Sequence, residues 1–375
     1  MKLQIVFLLI VIICFALLSS CSNKNVKNVT QNQIPKIERY SQYFFIDSLK
    51  QSLKIVYNDQ KSLTVVFDTT LQTSFQRNDS VFIHTFSPKI VINSTTFLGF
   101  LKVLDEYNSL LGFQNKELVY DSVIFTKMNN NEIVDVHTPE GINIELLLKI
   151  QPTIVFLTYS PGFEKTNTID KLQENGIIVI QIPEWLEQHP LGRMEWVKAF
   201  SMFYNKFDVA NKFSQRIIQS YDSLRTSVLI RSNIPTVMLG LSFNDQWYVP
   251  SGSGYFGKLL SDAGFNYPYS NTKSNQSLAL SKEEIFATCG MSEYWINVTT
   301  ATSLKDVQSI ERLAPQFLAF QKGNVFNYTK TLLPRGANDF WESGVLYPNR
   351  VLADLVWISS GSPVGYTPHY YMKLR

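Results

Sequence analysis

Residue types that could do chemistry are sparse in this chain. The four histidines, His84, His137, His189 and His369, are far apart, and none has another histidine three or four residues away. A zinc or manganese site usually has clustered histidine and carboxylate ligands, so we predict no metal site and no cofactor. The chain also lacks the G-x-S-x-G, H-E-x-x-H and P-loop motifs of common hydrolases.

One pair of carboxylates leaves an alternative open. Glu184 and Glu187 flank Trp185 and could form the acid–base pair of a glycoside hydrolase. Nothing in the surrounding sequence separates them from residues of a solvated loop. A secreted lipoprotein hydrolase acting on a glycan or another large substrate therefore stays an alternative, while the sequence favours a protein that is not an enzyme.

A glycine pattern could indicate a nucleotide site. Residues 252–257 read GSGYFG, which matches G-x-G-x-x-G, and they follow a predicted strand at 246–249 and open a predicted helix. A dinucleotide site also needs a second strand ending in an acidic residue about 20 residues later. Residues 271–275 are polar and predict no strand. We therefore interpret the glycines as a tight turn.

The cysteines indicate the cellular compartment. Lys2 precedes an apolar run at 5–18, shorter than the roughly 20 residues of a spanning helix, and residues 18–21 read LSSC. This order predicts a signal peptide at 1–20 and resembles a lipobox with Cys21 as the lipid-attachment site. Cys14 leaves with the signal peptide and Cys21 carries the lipid, so Cys289 is the one free thiol and we expect no internal disulfide. We predict an extracytoplasmic (periplasmic) protein that a lipid anchors to the inner or outer membrane.

The amino-acid composition limits the classes of partner that the sequence predicts. The formal charge of +3 and the scattered Lys and Arg residues argue against nucleic acid as a partner. The 18 Tyr, six Trp and 26 Phe residues include several beside Gly, Pro and Asn in predicted loops. Aromatic loops suit a cleft that binds a large, partly apolar ligand.

Hydrophobic patterns predict two α/β regions. The segments 54–57 and 63–67 are β-branched and aromatic, which indicates an antiparallel hairpin. Strands then alternate with helices, as expected for mainly parallel sheets covered on both faces. The predicted strands are 89–94, 153–159, 177–182, 236–241, 294–298 and 324–328. The predicted helices are 95–111, 141–150, 167–175, 257–263, 282–287, 303–317 and 348–358.

Residues 191–225 have an apolar stripe at helical spacing, with Trp196, Phe200 and Tyr221 among its members. A helix of about 33 residues would be about 50 Å long. We therefore predict two Rossmann-like lobes with mainly parallel sheets, bridged by a single long α-helix. The expected divisions are a signal peptide (1–20), a lipidated flexible tether (21–50), an N-terminal lobe (51–188), a bridging helix (189–228) and a C-terminal lobe (229–375).

Three motifs resemble one family, the substrate-binding proteins of ABC importers for iron–siderophore complexes and cobalamin. They are GINIE with QPTIV at 141–155, PLGRMEW at 190–196, and NDFWESG at 338–344 followed by LADL at 352–355. The resemblance runs from about residue 88 to 358. It implies capture of a ferric siderophore, cobalamin or haem between the lobes and delivery to importer permease subunits.

The resemblance also implies docking residues. One surface glutamate on each lobe of the family pairs with permease arginines, and the matching positions are Glu145 and Glu283. A carboxylate at a helix start is favoured by the helix dipole and can accept a bidentate arginine contact. Capping of their own helices would equally explain both residues.

The ligand site is expected between the lobes. The run at 339–343 aligns with corrinoid-contacting residues of the family, whereas Pro139 replaces the tryptophan that cobalamin-binding members carry. Arg335 and Arg193 could bind an anionic ferric chelate, although Arg193 could equally pair with Glu195 or with a carboxylate of a lobe. The candidate ligand-binding residues are Tyr159, Arg193, Trp247, Tyr248, Tyr255, Arg335, Asp339, Phe340, Trp341 and Glu342.

Overall fold

The structure is a computed structural model that describes residues 39–139, 141–161, 167–228, 234–274 and 276–375. The predicted signal peptide, Cys21 and residues 21–38 of the predicted tether lie outside the described residues. In the described part of the chain, no helix is both long and apolar enough to cross a bilayer.

The first sheet of the described chain has five strands in the order β1-β2-β3-β5-β4. Its strands are β1 (Phe44–Asp47), β2 (Ser52–Val56), β3 (Ser62–Phe67), β4 (Phe75–Arg77) and β5 (Ser80–Ile83). Pairing is antiparallel except between β3 and β5. Alternate residues such as Leu53, Ile55, Leu63 and Val65 are buried, as the period of two requires. The predicted hairpin is present, but a tether reaching residue 50 is wrong because β1 lies within it.

Two buried glutamates, Glu195 and Glu187, hold the segment 40–42, which leads into β1. Glu195 accepts hydrogen bonds from the N–H groups of Tyr40 and Ser41 at 2.9 Å. Glu187 accepts from the Ser41 hydroxyl at 2.5 Å and from the Gln42 N–H at 2.9 Å. Such carboxylate bonds, away from water, hold residues 40–42 against the helix that carries Glu195.

The N-terminal lobe contains a parallel sheet in the order β12-β11-β6-β7-β8. All three residues of β6 are buried, as expected for a strand covered on both faces. Strands β9 and β10 form a short antiparallel hairpin that follows β8 in the chain. The strands are β6 (Ile90–Ile92), β7 (Leu110–Phe113), β8 (Val134–Asp135), β9 (His137–Thr138), β10 (Gly141–Ile142), β11 (Ile154–Thr158) and β12 (Ile178–Ile182). The helices are α1 (Thr95–Leu104), α2 (Ser122–Asn129), α3 (Ile144–Ile150) and α4 (Asn167–Glu174).

The C-terminal lobe repeats this plan. Its main sheet has the order β13-β17-β18-β19, parallel except at β19, and a small antiparallel sheet joins β14, β15 and β16. The strands are β13 (Val237–Leu239), β14 (Ser242–Phe243), β15 (Gln246–Val249), β16 (Leu278–Ser281), β17 (Tyr294–Ile296), β18 (Val325–Asn327) and β19 (Met372–Lys373). After α5 and α6, which join the lobes, the helices are α7 (Tyr255–Asp262), α8 (Lys282–Cys289), α9 (Leu304–Ile310), α10 (Leu318–Gln321), α11 (Asp339–Glu342) and α12 (Pro348–Ser359).

The segment between the lobes differs from the prediction. It forms two helices, α5 (Pro190–Met202) and α6 (Phe207–Val228), so a single unbroken helix from residue 191 to 225 is wrong. Phe203 and Tyr204 turn into the core, and Asn205 takes a left-handed φ of 52°. Lys206 then binds the Leu104 carbonyl at 2.7 Å. The helix that remains long is α6, which packs against α12.

Candidate functional site

A cavity of about 390 Å³ lies where the two lobes face each other. Pro161, Trp185 and Leu186 border it from the N-terminal lobe, after the carboxyl ends of β11 and β12. Pro250, Ser251, Gly254, Tyr255, Phe256, Gln276 and Ser277 border it from the C-terminal lobe, and Asn58 of the first sheet completes the described lining. None of these described lining residues is charged. Ligands of α/β proteins commonly bind at this end of parallel strands, so we call this cavity the interlobe cleft.

Trp185 is the main aromatic surface on the N-terminal side. Its side chain is 41% exposed, although its Nε1–H donates a hydrogen bond to the Tyr159 carbonyl at 2.8 Å. A tryptophan held at its polar end while its ring faces solvent is ready to pack against an apolar ligand. Sequence reasoning considered Trp185 only as a neighbour of two acids, and its position directly after a buried strand was the missed signal.

An ion pair lies beneath the cleft. The Arg193 guanidinium contacts Glu184 at 3.2 Å and lies under the Tyr255 ring, 5.4 Å from its centroid. Glu184 is 2% exposed. Among the described residues, neither Glu184 Oε2 nor Arg193 Nε has a hydrogen-bond partner. Burial raises the pKa of the Tyr255 hydroxyl, while nearby Arg193 acts in the opposite direction. The charge of Arg193 is therefore largely committed to Glu184, so of the two suggested partners it pairs with a lobe carboxylate and not with Glu195.

The glycine pattern at 252–257 builds the C-terminal wall. A Cβ on Gly252 would lie 1.9 Å from the Ser270 carbonyl oxygen, and one on Gly257 would lie 2.3 Å from that of Ser251. Only glycine permits this close packing. Gly254 caps α7, which presents Tyr255 and Phe256 to the cleft. The pattern thus shapes the cleft as a tight turn.

An aromatic cluster extends from Phe256. The Phe256 and Phe340 rings stack at 6.4 Å, Phe340 and Tyr328 stack at 4.4 Å, and Trp341 meets Tyr328 edge-on at 5.3 Å. Trp341 is 43% exposed, and its carbonyl accepts from the Thr96 hydroxyl of the other lobe at 3.3 Å. Burial raises the pKa of Tyr328 to about 12, so its hydroxyl stays neutral.

The predicted run at 339–342 is split between two faces. Asp339 and Glu342 border a different cavity of about 530 Å³, together with Lys102, Asp121 and Arg350. Glu342 is buried and accepts from the backbone N–H of Tyr120 and of Asp121. Placement of these two acids in the interlobe cleft is therefore not supported, because both border this second cavity and Glu342 bonds to Tyr120 and Asp121 there.

Other predicted ligand residues lie away from the cleft. Trp247 is 1% exposed and donates to the Leu239 carbonyl, so it belongs to the core. Tyr248 is half exposed on the small sheet and donates to Gln246. Arg335 donates to the Val119 carbonyl at 2.7 Å and stacks over Phe125. None of the three borders the interlobe cleft.

Tyr159 is 2% exposed. Its ring stacks on Tyr57 of the first sheet, with centroids 4.9 Å apart. Its side chain thus faces that sheet, and its carbonyl accepts a hydrogen bond from Trp185 of the cleft.

Glu145 and Glu283 occupy equivalent positions on the two lobes. Each is exposed and is the second residue of its helix, α3 or α8. Asn143 caps α3 by accepting from the Leu146 N–H, and Ser281 caps α8 by accepting from the Glu284 N–H. Since other side chains satisfy the helix starts, both glutamate carboxylates remain available to a partner.

Among the described residues, no group of three or more His, Cys, Asp or Glu side chains is arranged to hold a metal ion. Glu187, the second member of the suggested hydrolase pair, is 1% exposed and accepts from Ser41, Gln42 and Trp196. Burial raises the pKa of Cys289 to about 11, so its thiol is unreactive.

Comparison with known proteins gives one family and several relatives. The periplasmic binding protein family model matches residues 90–332. An uncharacterised lipoprotein of Methanocaldococcus jannaschii is 24% identical over 382 residues, covering 94% of this chain and 89% of the relative. An ABC transporter substrate-binding protein of Listeria monocytogenes EGD-e is 15% identical, with a TM-score of 0.54 over 73% of this chain and 99% of its own. The periplasmic vitamin B12 binding protein of Vibrio cholerae is 12% identical, with a TM-score of 0.50 over 74% and 98%.

Two α/β lobes thus face each other across a cleft whose described lining is uncharged and includes three aromatic residues. The chain belongs to the periplasmic binding protein family. The first sheet, residues 44–83, precedes the part that the family model matches.

Proposed function

We propose that this protein captures a large, weakly charged chelate, either a cobalamin-type corrinoid or a neutral ferric siderophore, in the interlobe cleft. The observation that carries the proposal is the lining that both lobes contribute, in which none of the described residues is charged and three are aromatic. Trp185, Tyr255 and Phe256 suit the apolar faces of such a chelate. Asn58, Ser251 and Gln276 suit amide and hydroxyl groups on its periphery.

The positions of three described cations, Arg193, Arg335 and Lys102, favour a neutral ligand. An anionic ferric chelate or the carboxylates of haem would call for Arg or Lys facing the ligand. Arg193 is paired with Glu184, Arg335 binds the Val119 carbonyl, and Lys102 binds Asp121. Each would have to abandon a partner to bind an anion.

Docking to an importer is the proposed role of the exposed pair, Glu145 and Glu283. Permease arginines are the proposed partners, because a carboxylate and a guanidinium form two parallel hydrogen bonds. A lipid on Cys21 would hold the protein at the membrane where that permease lies. This anchor and the extracytoplasmic location of the cleft agree with the lipoprotein relative.

The test is a titration of the full chain in detergent, followed by tryptophan fluorescence and thermal unfolding. Cyanocobalamin, a neutral ferric trihydroxamate, an anionic ferric catecholate and haemin serve as probes. We expect saturable binding of one of the first two, with an unfolding temperature that rises with ligand concentration. Tighter binding of the catecholate or of haemin would contradict the neutral ligand. Absence of binding by all four would contradict the proposed function.

A further inference from the structure

The first sheet reaches the interlobe cleft through the turn between β2 and β3, which we call the β2–β3 turn (residues 57–61). Asn58 of this turn borders the same cavity as Trp185 and Tyr255. The sheet precedes the segment that the family model matches. A segment outside the two-lobe plan thus lies at the mouth of the site.

The β2–β3 turn is held in a defined conformation. The Tyr57 N–H donates to the Lys61 carbonyl at 2.9 Å, and the Gln60 N–H donates to the Tyr57 carbonyl at 3.0 Å. Asp59 accepts from the Lys61 N–H and pairs with its ammonium at 2.6 Å. These short-range bonds hold the backbone of the turn and so fix the position of the Asn58 Cα, from which the exposed side chain extends.

The turn is also fixed to the N-terminal lobe. The Tyr57 hydroxyl donates to the Gln181 carbonyl of β12 at 3.1 Å, and its ring stacks on Tyr159. Farther along the sheet, Gln76 accepts from the Val179 N–H at 3.2 Å, which satisfies a backbone donor of the edge strand β12. Bonds at both places attach the sheet as a rigid part of the lobe.

We infer that the β2–β3 turn is a third wall of the ligand cleft and that the Asn58 amide contacts the ligand. This inference rests on the proposed function. An amide donates and accepts hydrogen bonds without carrying charge, so Asn58 would recognise amide or hydroxyl groups on the edge of a neutral chelate. The turn would thereby favour chelates whose edge fits beside it and carries uncharged polar groups.

Substitutions at Asn58 test the inference, with Leu49 as the matched control. Leu49 is 96% exposed in the β1–β2 turn, at the opposite end of β2 from Asn58. We expect Asn58→Trp to weaken binding of the saturating probe at least tenfold by filling the cleft. Asn58→Ala should weaken it severalfold, and Leu49→Trp should leave it unchanged. Equal affinities for Asn58→Trp and Leu49→Trp would overturn the inference.

A second measurement needs no ligand. A nitroxide attached to Asn58→Cys should quench Trp185 emission, whereas one attached to Leu49→Cys should not. The Trp185→Phe variant identifies that emission, and the parent chain treated with the same reagent accounts for native thiols. Equal quenching from both positions would overturn the inference. Failure of the unaltered protein to bind any probe would overturn the proposed function, and selective quenching from residue 58 would still support the turn as a wall of the cleft.

Discussion

The Glu342 carboxylate of the C-terminal lobe accepts a hydrogen bond from the backbone N–H of Tyr120 in the N-terminal lobe at 2.8 Å. A second bond, from the Asp121 N–H at 3.0 Å, makes the contact two-pronged. Burial, with smaller contributions from the nearby Asp121 and Asp339 carboxylates, raises the pKa of Glu342 to about 7. One of the residues that join the lobes thus changes its protonation state near neutral pH.

This pKa predicts how stability depends on pH. The native state holds a proton on Glu342 that the unfolded chain loses near its ordinary pKa of 4.5. The resulting stabilisation is fully present below about pH 4.5 and is lost as pH rises through about 7. We expect Glu342→Gln to remove this dependence, so that its stability relative to wild type rises by about 1 to 3 kcal/mol between pH 4.5 and 8. Urea unfolding across this range measures it, with exposed Glu145→Gln as control. A constant difference between Glu342→Gln and wild type would refute the assignment.

The ion pair beneath the cleft predicts a second effect. Arg193→Ala would leave Glu184, 2% exposed, as a buried charge without its partner. Removing one member of a buried pair typically costs about 3 to 5 kcal/mol. We expect a loss of that order for Arg193→Ala in urea unfolding. Most of it should return in the double variant Arg193→Met with Glu184→Leu, because neither charge then remains. Additive losses in the double variant would show that the pair is not the cause.

Much of the fold follows from the sequence, and the failures have physical causes. The alternation of strands and helices predicted the two lobes. The strands could be recognised because those buried on both faces, such as β6, form continuous apolar runs in the sequence. Strand β7 was missed since Leu110 and Leu111 continue the helical spacing of α1. That helix ends instead at Asp105, with a left-handed φ of 54° at a residue that sequence rules rarely assign as a stop. The break between α5 and α6 was missed for the same reason, because it lies at Asn205, another non-glycine residue with a left-handed φ.

The candidate site was less predictable because neighbouring side chains point in different directions. Successive residues of a helix turn by about 100°, so Phe340 of α11 stacks on Phe256 whereas Glu342 borders the second cavity. On β15 the alternation buries Trp247 and exposes Tyr248. Asn58 escaped notice because its contact with the cleft depends on packing between residues more than 100 positions apart in the chain.

The exposed ring of Trp185 predicts a loss of affinity. Trp185→Ala should weaken capture of the chelate at least tenfold, about 1.4 kcal/mol, because the ring is a large apolar surface of the cleft. The matched control is Phe243→Ala, which removes an aromatic ring that is 69% exposed and borders no part of the cleft. Equal affinity of both variants by fluorescence titration would remove Trp185 from the site.

The paired glutamates predict a separation of capture from delivery. Glu145→Ala combined with Glu283→Ala should leave chelate affinity unchanged, because both carboxylates are exposed outside the interlobe cleft. The same variant should lose binding to permease-containing nanodiscs and ligand uptake, because the permease arginines lose their partners. Glu132→Ala with Glu174→Ala removes two other exposed carboxylates and controls for net charge. Uptake that falls equally in both double variants would attribute the effect to overall charge, and weakened chelate binding by the first would place its glutamates in the ligand site.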